Sequence, residues 1–174
     1  MLNVEAKVRK TARVAVWIGL LAAGISSSAQ PLPPQLAGTW KITRVLPTSN
    51  TACWSAEQAQ PLVGSTLSYS GTAMRWRGGE VPVQDIVLRV VTGAQFRKEN
   101  SGSGGAAEFS QLGIRSERVI EVDMQHEDAD ITGATTEVPG DSILMAGPNR
   151  IVVSACGVFF EARRAGLTKT SEHR

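Results

Sequence analysis

Few residues in this chain are of types that do chemistry, and their spacing narrows what each can do. His126-Glu127-Asp128-Ala129-Asp130 gathers an imidazole and three carboxylates in one short run. Those donor types hold calcium or a transition metal. The run lacks the glycine that a calcium loop needs for its turn, and no second histidine stands at ligand spacing, since His173 lies near the chain's end. It reads as a solvated loop after a strand, so no metal and no other cofactor is expected. Glu121 and Asp123 are spaced i, i+2, which puts both on one face of a strand. Interleaved with Val119, Ile120 and Val122, they read as the solvent side of a half-buried strand and not as an acid–base dyad. No G-x-S-x-G, H-E-x-x-H, P-loop or dinucleotide pattern occurs, and the loop Ser101-Gly102-Ser103-Gly104-Gly105 has no phosphate-binding lysine. The sequence points to a protein that is not an enzyme.

Arg75-Trp76-Arg77 sets an aromatic ring between two cations, a pattern that can stack and neutralise nucleic acid. The charge distribution argues against that use. The whole chain of 174 residues has a net charge of +2, but Lys7, Arg9, Lys10 and Arg13 face only Glu5 within residues 1–29. The remainder holds 14 basic against 15 acidic residues, a net charge of −1, so no nucleic-acid partner is expected. Trp76 is expected to fill a core face, with both arginines pointing out.

The basic start, the apolar run Val14 to Ile25 and the small residues Ser26 to Ala29 have the three-part form of a secretory signal peptide, cut before Gln30. Twelve apolar residues are too few to span a bilayer. The protein is therefore expected to be secreted or periplasmic, with no membrane span after cleavage. Cys53 and Cys156, the only cysteines, are expected to form a disulfide in that oxidising setting. Trp54 is expected to cover it.

Elements must position these residues, and the elements read as strands. Gln30 to Gln35 carries three prolines and reads as an extended linker. Residues 36–166 form the folded domain, and 167–174 a frayed tail. Within the domain, strands are expected at Gly38–Leu46, Thr66–Ser70, Ala73–Arg77, Val83–Phe96 (bent or broken near Gly93), Arg118–Met124, Ser142–Ala146, Arg150–Ala155 and Gly157–Arg163. Ser55-Ala56-Glu57-Gln58 is a capping box opening a short helix, and a helical turn is expected at Glu108–Leu112. About eight antiparallel strands with one or two short helices make an all-β fold, an up-and-down barrel or alternatively a β-sandwich.

Leu36-Ala37-Gly38-Thr39-Trp40-Lys41 resembles the G-x-W opening of lipocalins and related calycin barrels, and Phe159-Phe160-Glu161-Ala162-Arg163-Arg164 resembles their last strand. The resemblance implies that Gly38 and Arg164 are structural, with an arginine packed over Trp40. It also implies closure by pairing the first strand with the last, with Trp40 opposite Arg164 and Cys156 near Cys53. If Glu161 faces solvent, Phe160, Ala162 and Arg164 face inward. Alternation places Ile42, Leu67, Leu88 and Val119 inside too. Trp40, Tyr69, Met74, Trp76 and Phe160 would line a cavity for a small apolar ligand. The alternative is a module that binds a secreted enzyme, similar to periplasmic β-barrel inhibitors of proteases or lysozymes, with Gln30 to Gln35 as its plug.

Overall fold

The computed structural model describes residues 30–47, 54–102, 105–126 and 139–166. The expected signal peptide, Cys53, most of the His126–Asp130 cluster and the tail lie outside the described residues. In chain order the elements are β1 (Gly38–Leu46), α1 (Ala56–Ala59), a 3-10 turn (Gln60–Leu62), β2 (Thr66–Tyr69), β3 (Ala73–Trp76), β4 (Gly79–Pro82) and β5 (Asp85–Thr92). Then come α2 (Gly93–Glu99), the two-residue strands β6 (Ser101–Gly102) and β7 (Gly105–Ala106), β8 (Arg118–Gln125), β9 (Ser142–Gly147), β10 (Arg150–Ala155) and β11 (Val158–Arg164).

One nine-stranded sheet has the order β4-β3-β2-β1-β11-β10-β9-β8-β5, with every pairing antiparallel. Its two ends, β4 and β5, are separated in the chain only by Val83 and Gln84. Val83 N donates to Thr72 O at 3.0 Å, and Gln84 N donates to Gln125 O at 2.8 Å. One bent stretch thus leaves β3 and takes up β8 within two residues. The sheet curls into an up-and-down, barrel-like form, and the bent stretch makes its strands eight when counted once.

Local chemistry explains where elements begin and end. Ser55 Oγ accepts from Gln58 N and Gln58 Oε1 accepts from Ser55 N, so the capping box starts α1 as expected. A second box, Thr92-x-x-Gln95, turns the chain into α2 at Gly93. The expectation of strand through Phe96 is therefore corrected. The β-branched run ends where Thr92 offers a cap and Phe96 finds a buried site. Gly79–Pro82, which lies outside the expected strands, is also strand; Pro82 tolerates the position because β4 ends there. Glu108–Leu112 makes one helix-like bond, Leu112 N to Glu108 O, before Gly113 closes the turn.

Two apolar layers share the sheet. Trp40, Ile42, Leu67, Met74, Val122, Ile151 and Phe160 belong to the inner core. The outer layer forms where α2 and residues 105–114 pack on the outside of β5 and β8–β11, burying Phe96, Phe109, Leu112, Val91, Val119, Leu144, Val152 and Phe159. Phe96 stacks against Phe109 and Phe159 at centroid distances of 5.1 and 5.6 Å. Val119 thus belongs to the outer layer and not to the interior as expected, because it shares the face of Glu121 and Asp123. Glu121 is only 6% exposed. The expectation of a solvent-facing carboxylate there fails because α2 and its loop cover that side of the strand.

Candidate functional site

The first and last strands, β1 and β11, pair in the middle of the curled sheet. Trp40 stands opposite Arg164 in register, as expected, and the Arg164 guanidinium lies 4.4 Å from the Trp40 ring centroid. Arg164 Nη1 also donates to Ala37 O at 2.8 Å, its Nη2 reaches Gln35 O, and Trp40 Nε1 donates to Leu36 O at 2.8 Å. Gly38 sits at φ +110 with Arg164 Nη1 3.1 Å from where a Cβ would lie. A side chain there would meet both the backbone restriction and the arginine. The proline segment is drawn into this end. Leu36 is fully buried, and Gln30 Oε1 accepts from Leu88 N at 2.9 Å. Residues 30–35, expected as a spacer, are instead held against the sheet, Gln30 by Leu88 on β5 and Gln35 by Arg164 on β11.

The residues expected to line a cavity meet one another. Trp40, Met74 and Phe160 are fully buried, and Tyr69 and Trp76 are 3% exposed, all in the inner core. Trp76 Nε1 donates to Ser65 Oγ at 3.4 Å. Arg75 pairs outward with Glu80, and Arg77 lies 5.4 Å from the Trp76 ring. Tyr69 donates to Gly140 O at 3.2 Å, and burial with the nearby Asp141 charge pushes its hydroxyl well above the usual phenol range. Trp54 packs partly buried against the same core.

A pocket of about 240 Å³ is lined by Tyr69 with Gly38, Thr39, Ser68 and Arg75, and larger clefts lie at the other side of the sheet's order, by β8 and β9. The β8–β9 ladder runs only from Asp123–Ser142 to Glu121–Leu144. Beyond it, Arg118 to Ile120 stay paired with β5, whereas β9 slips by one residue against β10 between Leu144 and Gly147. That bulge turns the end of β9 away from β8. Two clefts meet at the splayed ends and share Ile120, Met145 and Gly147. An apolar one of about 330 Å³ is completed by Pro33, Gln35 and Pro148. The other, of about 470 Å³, carries Arg115, Arg118 and Arg150 and has no acidic lining residue. Ile120, 47% exposed, lies opposite Val90, 59% exposed, across β5–β8. No sequence signal marked these residues, because alternation puts them inward and only the end of the ladder uncovers them.

No family model, curated protein or solved structure matches the chain.

Two buried carboxylates stand on the outer wall. Glu161, 4% exposed, meets Arg150 Nε at 2.9 Å, Arg163 Nε at 2.8 Å and Arg44 Nη2 at 2.9 Å. Burial pushes its pKa up, but those charged donors outweigh burial and hold it at about 2. Glu121 meets Arg89 Nη2 at 2.7 Å and accepts from Ser142 Oγ at 3.1 Å. Its Oε2 makes no aligned hydrogen bond, so the Arg89 contact is Coulombic only. Burial and the Asp123 charge raise its pKa, and Arg89 offsets only part of that. His126 Nε2 lies 2.9 Å from Asp141 Oδ1. Among the described residues no three His, Cys, Asp or Glu side chains gather into a metal site. Among them, too, no cysteine is free; Cys156 occupies the β10–β11 turn at φ +50.

Proposed function

We propose that this is an exported, non-enzymatic, lipocalin-like protein that binds a small apolar molecule. The binding place is the apolar cleft at the splayed ends of β8 and β9. One observation carries the reading: Ile120, about half exposed and opposite the exposed Val90 on β5, lines a cleft walled by Pro33, Met145 and Pro148. Water-exposed apolar pairs cost free energy that a ligand recovers, at about 25 cal/mol per Å² covered. Both clefts fall in the range of small-molecule sites, about 300–1,000 Å³. The N-terminal signal peptide and a Cys53–Cys156 disulfide belong to the same proposal. Cys156, which is not a free thiol, and the β1–β11 register, which sets Leu46 opposite Phe159 beside the turn that holds Cys156, support the disulfide.

The enzyme-inhibitor alternative needs residues 30–35 free to enter a target. Gln30 is bonded to Leu88, and Arg164 holds Gln35 and Ala37, which favours the ligand reading. Titration with N-phenyl-1-naphthylamine, an uncharged fluorescent probe, tests it. Saturation at about one probe per chain is expected, with Ile120→Glu weakening binding by about tenfold or more, equivalent to about 1.4 kcal/mol. Ile120 is half exposed, so circular dichroism should stay unchanged. No saturable binding, or equal binding by the variant, overturns the proposal.

A further inference from the structure

The geometry points to an anionic head group on the ligand: the arginine cleft takes the head of a single-chain amphiphile whose tail lies in the apolar cleft. This inference rests on the apolar-ligand reading and adds the class of molecule. The two clefts are one site in chemical terms, because Ile120, Met145 and Gly147 line both. A molecule lying across the splayed strands would meet hydrocarbon on one side and guanidinium groups on the other.

The three arginines of the cleft differ in what already holds them. Arg150 is engaged: its Nε bonds Glu161, Nη1 bonds Gly113 O at 3.4 Å, and Nη2 reaches Leu112 O. Those last two bonds fix the loop that carries Arg115. Arg115 and Arg118 have no ion pair or side-chain hydrogen bond among the described residues, and both are exposed. Glu117 lies between them in the sequence but does not line the cleft. Two unengaged guanidinium groups on one wall, with no carboxylate opposing them, match a compact oxyanion. Arginine presents paired donors that fit the oxygens of a carboxylate or phosphate.

Calorimetric titration of the full chain below micelle-forming concentrations tests the inference with four probes of one chain length: dodecanoate, dodecyl phosphate, dodecanol and dodecyltrimethylammonium. Dodecanoate or dodecyl phosphate should bind about tenfold or more tightly than dodecanol, and the cation most weakly. Whichever anion is tighter identifies the head as carboxylate or phosphate. In the double variant Arg115→Gln, Arg118→Gln the anion's advantage should fall to less than about twofold while dodecanol affinity is unchanged. Both substitutions are at exposed positions, so folding should survive. Equal binding of anion and alcohol by the wild type, or an advantage that persists in the double variant, overturns the head-group inference and leaves the apolar-ligand reading standing. If no probe binds, the apolar-ligand reading falls and takes this inference with it.

Discussion

Glu161 on β11 and Glu121 on β8 occupy the same place in the same kind of frame. Each points outward from the sheet, and each is almost wholly buried, at 4% and 6% exposure. Each faces an arginine directly across one neighbouring strand, Arg44 for Glu161 and Arg89 for Glu121. Two residues along its own strand, Glu161 has Arg163 where Glu121 has Asp123. Diagonally on the other neighbouring strand, Glu161 has Arg150 where Glu121 has Ser142. Two of three neighbours differ, and the pKa shifts have opposite signs. At equal burial, the charge of the diagonal and same-face neighbours decides whether a buried carboxylate is held ionised. Arg89 is further divided among Glu99 at 2.8 Å, Glu121 and Asp123, so it serves Glu121 less than Arg44, Arg150 and Arg163 serve Glu161.

The sharpest way to break the comparison is Glu161→Gln. It leaves Arg150, whose side chain is 13% exposed, as a buried cation without its anion. Loss of one partner of a buried pair costs about 3–5 kcal/mol. Denaturant unfolding at neutral pH should show a loss in that range; a loss below about 1 kcal/mol would mean that the arginines do not depend on Glu161. A smaller effect appears in acid. Glu161's folded pKa of about 2 lies below the ordinary value of about 4.3, so its ionised form stabilises the fold above that ordinary value. That contribution, about 2–3 kcal/mol, is lost as pH falls from about 5 to about 2. Unfolding measured against pH should show this acid limb in the wild type and a flatter one in Glu161→Gln. Arg44 and Arg163 are more than half exposed, which leaves Arg150 as the main cause.

Half of this arrangement was legible beforehand. G-x-W and the terminal arginine supplied the Trp40–Arg164 register, but Glu161, taken there as solvent-facing, is buried under its arginine partners. Extending that register without interruption sets Thr43 opposite Glu161. The one-residue bulge after Ile42 brings Arg44 there instead, while Thr43 Oγ1 donates to Glu161 O at 3.1 Å. A bulge leaves no mark in alternation, and the β9 bulge that opens the candidate site is equally silent. Glu121 was misread for a different reason. Its strand pattern is that of a half-buried strand, and the layer outside that strand is built from Phe96, on a helix hidden within a β-branched run, and from Phe109 in the loop that follows. The docking of Gln30–Leu36 also depends on a long-range partner, the free edge of β5, which three prolines in a row of seven residues do not announce.

Glu121→Gln should have the smallest effect and the opposite pH dependence. Glu121's folded pKa is raised, so its protonated form is the one the fold favours. The contribution from that preference is present below the ordinary carboxylate value and fades as pH rises through the folded value. Glutamine mimics the protonated form at every pH and still accepts from Ser142, while Arg89 keeps Glu99 and Asp123. Stability in acid should therefore match the wild type. At neutral pH the variant should be unchanged or more stable by up to about 1 kcal/mol, because the wild type must there keep a buried charge with one shared arginine. Unfolding curves at pH 3 and pH 7 check this. A loss above about 2 kcal/mol at pH 7 would mean that Arg89 serves Glu121 as fully as the three arginines serve Glu161, and the difference between the two frames would vanish.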